Sequence, residues 1–368
     1  MYKSIFILLH ITFIMAHDGN NNRAIEFPDL PGYKTLVCDL HMHTVFSDGS
    51  VWPNIRVMEA QKDGIDVIAT TEHIEYQSWI SDIPHPDRNR SFELATGFAK
   101  HSDLMVINGS EITRDMPPGH ANAIFIKDAN KLMVDDPIDA YLEARKQDAF
   151  IFWNHPYWAS QSPDASVPLD QLHLEMIKNG LLEGIEIVND TTYSNEAFQL
   201  ALDHNLTILG TSDIHGLIDW QYRISAGGHR PVTLVFAREK SQSSLKRALR
   251  KGQTVVWFNK KLLGKSDFLI PLINSSLSIR SASYIHNSTI VHVVIANNSD
   301  APYILRNQSV YDFYNTTDLV MVPPHGEAII DVRTIEKKRK FEMQFEVLNC
   351  LSAPNTHPVF SIKVKPKQ

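Results

Sequence analysis

Short apolar, β-branched runs recur along the first two-thirds of the chain, separated by stretches with helical spacing. They predict strands at 35–40, 66–70, 104–108, 121–126, 149–153, 184–188, 206–211 and 232–236. Strands alternating with helices in this way form βα units around a parallel sheet or barrel. The segment 241–251 reads as a helix that places Leu245, Ala248 and Leu249 on one face and closes that unit. After a linker near 263–270 the texture changes. LSIRSAS, IVHVVIA, YILR, LVMVP, AIIDVR, FEMQFEVL and FSIKVK alternate apolar and polar positions between Asn and Pro turns, which suggests an antiparallel, immunoglobulin-like sandwich. The expected organisation is an α/β domain at 35–262 followed by a β-sandwich domain at 263–368.

The first residues follow another pattern. One early lysine, Lys3, precedes an apolar run over 5–16 that is shorter than the roughly 20 residues a bilayer span needs. It reads as a signal peptide, 1–16, with Ala16 before the cleavage point and 17–34 as a tether. The expectation is a periplasmic or secreted protein without a transmembrane anchor. The length of 368 residues exceeds one ordinary core, in keeping with two domains. A net charge of -7 gives no basic footprint, so no nucleic-acid partner is expected. Cys38 and Cys350 lie far apart and imply no disulfide framework.

Candidate chemistry gathers where the strands end. Side chains alternate faces along a strand, so His41 and His43 project to one side and can close on one metal ion, with Asp39 in the same parity. Thr71, Glu72 and His73 follow DVIAT, and Ser110 and Glu111 follow LMVING. Asn154 and His155 follow AFIFW, Asn189 follows GIEIV, and Ser212, Asp213 and His215 follow LTILGT. Any one of these histidines, taken alone, reads more readily as a hydrogen-bonded loop residue than as a ligand. Their recurrence at the same end of successive strands places them together at a barrel mouth, where such folds carry their chemistry. Asp213 and His215 repeat the spacing of His41 and His43, and a carboxylate such as Glu111 can bridge two cations.

Taken in order, HMHTVFSDGS, TEH, GSEIT, GHANAIF, NHP and SDIH resemble the PHP domain of the polymerase and histidinol phosphatase superfamily over roughly 35–260. The resemblance implies a distorted (β/α)7 barrel holding two or three divalent ions, with zinc, manganese or iron compatible with the ligands. Position by position, it implies His41, His43, Glu111 and Asp213 around a first metal. Glu111, His120 and His155 would hold a second, and Asp48, His73 and His215 a third. Glu72 departs from the aspartate common at its place, and Asp48 from the histidine found in some branches. Clustered divalent ions lower the pKa of a bound water and neutralise a phosphoryl group under attack. The expected activity is therefore metal-dependent hydrolysis of a small-molecule phosphate ester, with Glu111, Asp213, Arg223 and Arg230 as catalytic residues. Arg114, Arg223, His229 and Arg230 are candidates to grip phosphate oxygens, and the pair flanking Gly227 and Gly228, Arg223 and Arg230, ranks first. Their alternative is a salt bridge. Asn154 and Asn189 are candidates to orient water or substrate. Two other functions stay open: an amidohydrolase-type C–N or C–O hydrolase, and a noncatalytic binding protein stabilised by its metals.

Overall fold

A computed structural model describes residues 23–367, so the expected signal peptide lies outside the described residues. The first unit contains strands β1 (Lys34–Asp39), β2 (Val67–Thr70), β3 (Met105–Ile112), β4 (Ala121–Ile124), β5 (Phe150–Trp153), β6 (Gly184–Asn189), the short β7 (Thr192–Tyr193), β8 (Thr207–Thr211) and β9 (Val232–Ala237). Two further strands, β10 (Thr254–Phe258) and β11 (Lys261–Leu263), form a hairpin where the sequence suggests only an approach to a linker. Laterally the order is β11, β10, β9, β1, β2, β3, β4, β5, β6, β8. The expected parallel sheet is in fact mixed: β4 runs antiparallel to both of its neighbours, and β9 runs antiparallel to β1.

The curl of this sheet brings β8 near β9 and β10 without a backbone ladder between them. Threonine hydroxyls span the seam instead. Thr233 Oγ1 donates to Gly210 O at 2.8 Å and accepts from Gly210 N at 3.0 Å, and Thr254 Oγ1 donates to Ile208 O at 2.8 Å. Gly210 allows the approach, since a Cβ there would stand 2.3 Å from Val256 Cγ1. The result is a distorted α/β barrel.

Helices cover its outside. In α1 (Pro53–Lys62) and α3 (Pro137–Lys146) a proline in the first turn presets the backbone angle where no donor is lost. The helix α7 (Gln242–Arg250) is capped by Ser241, whose hydroxyl accepts from Ser244 N, and it buries Leu245, Ala248 and Leu249 as the periodicity predicts. The other helices are α2 (Arg90–Ala99), α4 (Gln171–Lys178), α5 (Asn195–Asp203) and α6 (Ile218–Gln221).

Two expected flexible segments are ordered. Within 17–34 the described part packs on the barrel: Ile25 and Leu30 are buried, and Arg23 pairs with Asp63 and Asp219. The expected linker is mostly helix α8 (Ser266–Ser276), which continues through Pro271 and buries Leu269, Leu272 and Ile273. Burial of these apolar residues outweighs the helix-breaking effect of Pro271.

The second unit is a sandwich. One sheet is β12 (Leu277–Tyr284), β13 (Ile290–Asn297), β17 (Glu327–Arg333) and β15 (Asp312–Phe313). The other is β16 (Leu319–Val322), β14 (Tyr303–Asn307), β18 (Phe341–Val347) and β20 (Val359–Val364). Alternation sets the inner faces, with Val291, Val293 and Ile295 opposite Phe341, Met343, Phe345 and Val347. The strand β19 (Cys350–Leu351) leaves the sandwich to pair in parallel with β11, so one sheet runs through both units. Cys38 and Cys350 are free and buried. Among the described residues no helix is long and apolar enough to cross a membrane.

Candidate metal centre

The loops after β1 and β8 are laced together at the barrel mouth. His43 N donates to Ile214 O at 3.0 Å and Asp213 N to His41 O at 2.9 Å, which sets the two i, i+2 pairs against each other. Similarly, Glu111 N donates to Glu72 O and Ile74 N to Glu111 O, so His73 is held beside Glu111. Glu111 lies inside β3, which runs to Ile112, beyond the expected strand end at 108, and pairs Glu111 with Asn122. Asp213 and His155 adopt positive φ of 48° and 27°, a backbone state that costs non-glycine residues about 1–3 kcal/mol and concentrates at functional sites.

The side chains of the nine expected ligands converge. His41 Nε2, His43 Nε2 and Asp213 Oδ1 form a triangle with edges of 3.1, 3.1 and 3.0 Å. Two ligands bonded tetrahedrally at zinc-type distances sit about 3.3 Å apart, so the triangle suits one shared ion. Glu111 faces two ways. Its Oε1 lies 3.1 Å from His120 Nδ1 and 3.5 Å from His155 Nε2, while Oε2 lies 2.7 Å from His73 Nδ1 and 3.6 Å from His43 Nε2. Asp48 closes a further group, 3.3 Å from His73 Nε2 and 3.2 Å from His215 Nε2. His43 joins this group as well, its ring stacked between those of His73 and His215 at 4.4 and 4.3 Å. Thus the groups share members more than the expected partition implies.

The donor set fits metal ions on chemical grounds. Asp48 Oδ1, Glu111 Oε2, Asp213 Oδ1 and His155 Nδ1 are buried with no hydrogen bond satisfying them, a costly arrangement unless a cation takes up the carboxylate charge. Burial alone would lift the Asp213 carboxyl, but the charges of His41, His43 and His155 hold it far below the usual carboxylate range. Glu111 is buried too, and His73, His120 and His41 hold it well below. Burial and the neighbouring His215 and His73 push His43 down to about 4, which keeps its nitrogen free as a ligand at neutral pH.

A residue missed by the sequence reading orders this centre. Glu186, buried in the middle of β6, accepts from His41 Nδ1 at 2.8 Å and from Thr211 Oγ1 at 2.6 Å, and its other oxygen accepts from His155 N and Asn189 Nδ2. The bond to Nδ1 fixes the tautomer that leaves His41 Nε2 for a metal. The available signal was a charged residue inside the apolar run GIEIV. Asn154 Nδ2 donates to Glu111 Oε1 at 2.8 Å and Asn189 Nδ2 contacts Asp213 Oδ2 at 3.2 Å, so both orient carboxylates of the cluster. Glu72 accepts from Thr44, Ser47 and Ser91 and braces the loop that carries His43.

The basic candidates separate. Arg230 is a correction: it is 1% exposed and spends its guanidinium on Asp63 (2.9 and 2.5 Å) and Asp39 (3.1 Å), leaving nothing for a phosphate. Arg114 is held by Glu75 and by the carbonyls of Val134 and Asp135. His229 stacks on Trp257 at 3.5 Å, away from the ligand loops. Only Arg223 is exposed, and it follows Tyr222, whose hydroxyl donates to Ser212 O at 2.7 Å beside Asp213.

The Ig-like domain model matches residues 277–363. The solved structure of a two-domain protein from Bacteroides vulgatus, containing a predicted PHP-like metal-dependent phosphoesterase, is similar at 40% identity and a TM-score of 0.86. That match covers 93% of this chain and 98% of the other. A candidate metal-dependent phosphoesterase from Bifidobacterium adolescentis aligns at 15% identity over 52% of this chain and 90% of its own, with a TM-score of 0.39. An amidohydrolase from Chromobacterium violaceum aligns at 14% over 49% and 87%, with a TM-score of 0.36. These last two likenesses are too partial to bear on this chain. No curated protein matches it.

Proposed function

This chain belongs to the two-domain PHP-like proteins that join a metal-dependent hydrolase barrel to an Ig-like module, and from that premise we propose that it is a phosphoesterase acting on a small phosphorylated molecule. The observation that carries the proposal is Glu111, a buried carboxylate whose two oxygens face different groups of histidines. In this reading His41, His43 and Asp213 would hold one divalent ion, Glu111 with His120 and His155 a second, and Asp48, His73 and His215 a further one. Bound ions would supply an activated water and neutralise the phosphoryl charge. The chain's own groups do the rest. Glu186 fixes His41, Asn154 and Asn189 hold the carboxylates in place, and Arg223 meets a phosphoryl oxygen from the rim. The apolar run over 5–16 supports action outside the cytoplasm.

The test is phosphate release from a panel of monoesters and diesters by metal-loaded protein, with amides and lactones in parallel. Hydrolysis of a monoester that stops on chelation and is inhibited by inorganic phosphate is expected. Turnover of an amide or lactone with no phosphate released from any ester would reject the proposal in favour of amidohydrolase chemistry. Arg223→Ala should lower kcat/KM about tenfold to hundredfold, the loss of one charge-assisted contact of roughly 1.5–3 kcal/mol, with partial rescue by lysine. Parental kcat/KM in Arg223→Ala would remove this arginine from the site.

A further inference from the structure

The metal ligands are flanked by bare aromatic rings in a repeated arrangement. Tyr76 follows His73 by three residues and Trp158 follows His155 by three. The Tyr76 ring lies 5.9 Å from that of His73, and the Trp158 ring lies 5.3 Å from His155 and 5.8 Å from His120. These rings are 53% and 47% exposed. The segments that carry them, by contrast, are secured. Trp158 N donates to His155 O and Ser162 N to Trp158 O, both at 2.8 Å, closing a turn around the tryptophan. On either side of Tyr76, the Glu75 carboxylate accepts from Thr113 N at 2.8 Å and the Gln77 amide donates to Phe46 O at 3.2 Å.

Single exposed aromatics are ordinary on a protein surface. Two anchored ones, each one turn beyond a metal-group histidine on separate loops, are a designed edge of the site. We propose that Tyr76 and Trp158 take the leaving group of the substrate, and that this group is a flat aromatic ring. The inference rests on the phosphoesterase reading of the metal centre and adds to it the class of ester. A sugar would ask for hydrogen-bond partners, yet the polar side chains beside Tyr76 are turned inward: Glu75 is held by Thr113 and Arg114, and Gln77 spends its Nε2 on Phe46 and His85 and keeps its Oε1 buried. What the rim offers is ring faces. Stacking against such faces discriminates flat groups from small alkyl groups irrespective of their detailed hydrogen-bonding pattern.

Binding, measured apart from turnover, tests this on the metal-loaded full chain. Benzylphosphonate and methylphosphonate present the same anion with and without a ring. Calorimetry should show benzylphosphonate bound about tenfold or more tightly. Trp158→Ala and Tyr76→Ala should each shrink that preference severalfold at unchanged metal content, and Trp158→Phe should keep most of it. Equal affinity for the two phosphonates in the parent, or a preference that survives the double alanine variant, would overturn the aromatic rim and leave the phosphoesterase reading standing. If neither phosphonate binds but phenylacetate does, in a Trp158-dependent way, the rim holds and the phosphoryl reading falls. Binding of none of the three overturns both.

Discussion

Replacing Arg230 with methionine separates a structural cation from a catalytic one. The guanidinium is 1% exposed and contacts Asp63 at 2.9 and 2.5 Å and Asp39 at 3.1 Å; those carboxylates are themselves 3% and 0% exposed. Methionine preserves much of the volume but leaves both carboxylates short of their counter-charge. Asp63 retains Arg23, whereas among the described residues Asp39 retains the amide of Ser212 alone. Removing one partner from a buried ion pair costs about 3–5 kcal/mol. For a domain of this size each kcal/mol lowers the melting temperature by roughly 2–4 °C, so a fall of about 6–20 °C is expected. Because the side chain does not reach the barrel mouth, kcat/KM per folded molecule should stay within about threefold. Adding Asp39→Asn should recover part of the lost stability, since it removes the stranded charge while an amide oxygen can still accept from Ser212 N. Thermal unfolding and steady-state kinetics on the same samples decide the matter. An Arg230→Met protein that melts like the parent but loses tenfold or more in kcat/KM would show that the guanidinium touches substrate.

Three further outcomes can be measured. Glu111→Gln should lose most bound metal while circular dichroism shows the fold intact, and metal retained at the parental stoichiometry would end the bridging role. Glu186→Gln should weaken metal affinity about 10–100-fold by releasing His41 Nδ1, as read by competition with a chelator; unchanged affinity would show that His41 needs no such support. Burial holds His229 at about 4, with Lys260 nearby adding to the effect, and its Nε2 accepts from Lys260 N at 3.2 Å. The unfolded chain, with an ordinary histidine near 6.5, therefore binds the proton more readily, so stability is full above that value and declines as pH falls towards 4. The contribution is roughly 3 kcal/mol between pH 7.5 and 4, and denaturation of His229→Gln across that window should show a shallower decline; identical slopes would exclude it.

The repeating units were legible because each barrel strand is a compact apolar run ending in polar residues, from LVCDL before His41 to LTILGT before Asp213. The ligands could be found because their order along the chain matches their order around the mouth. Glu186 was hidden by its place inside a strand, where a lone carboxylate has no local motif and gains meaning only when His41, 145 residues away, comes within 2.8 Å. Arg230 was misread for the same reason. Its partners lie 167 and 191 residues away, and a basic residue after a glycine pair carries no mark of which carboxylates will surround it. The hairpin of β10 and β11 was overlooked because its strands are short and its role is to meet another part of the chain.

That meeting gives the two units a joint fate. Since β19 supplies the neighbour that β11 would otherwise lack, a chain ended before the sandwich would present the β11 edge bare, with Leu262 and Leu263 stripped of cover. Unpaired, apolar strand edges recruit other strands. The sandwich thus seals an edge of the barrel sheet, and a chain pared down to its metal-binding half would be expected to self-associate.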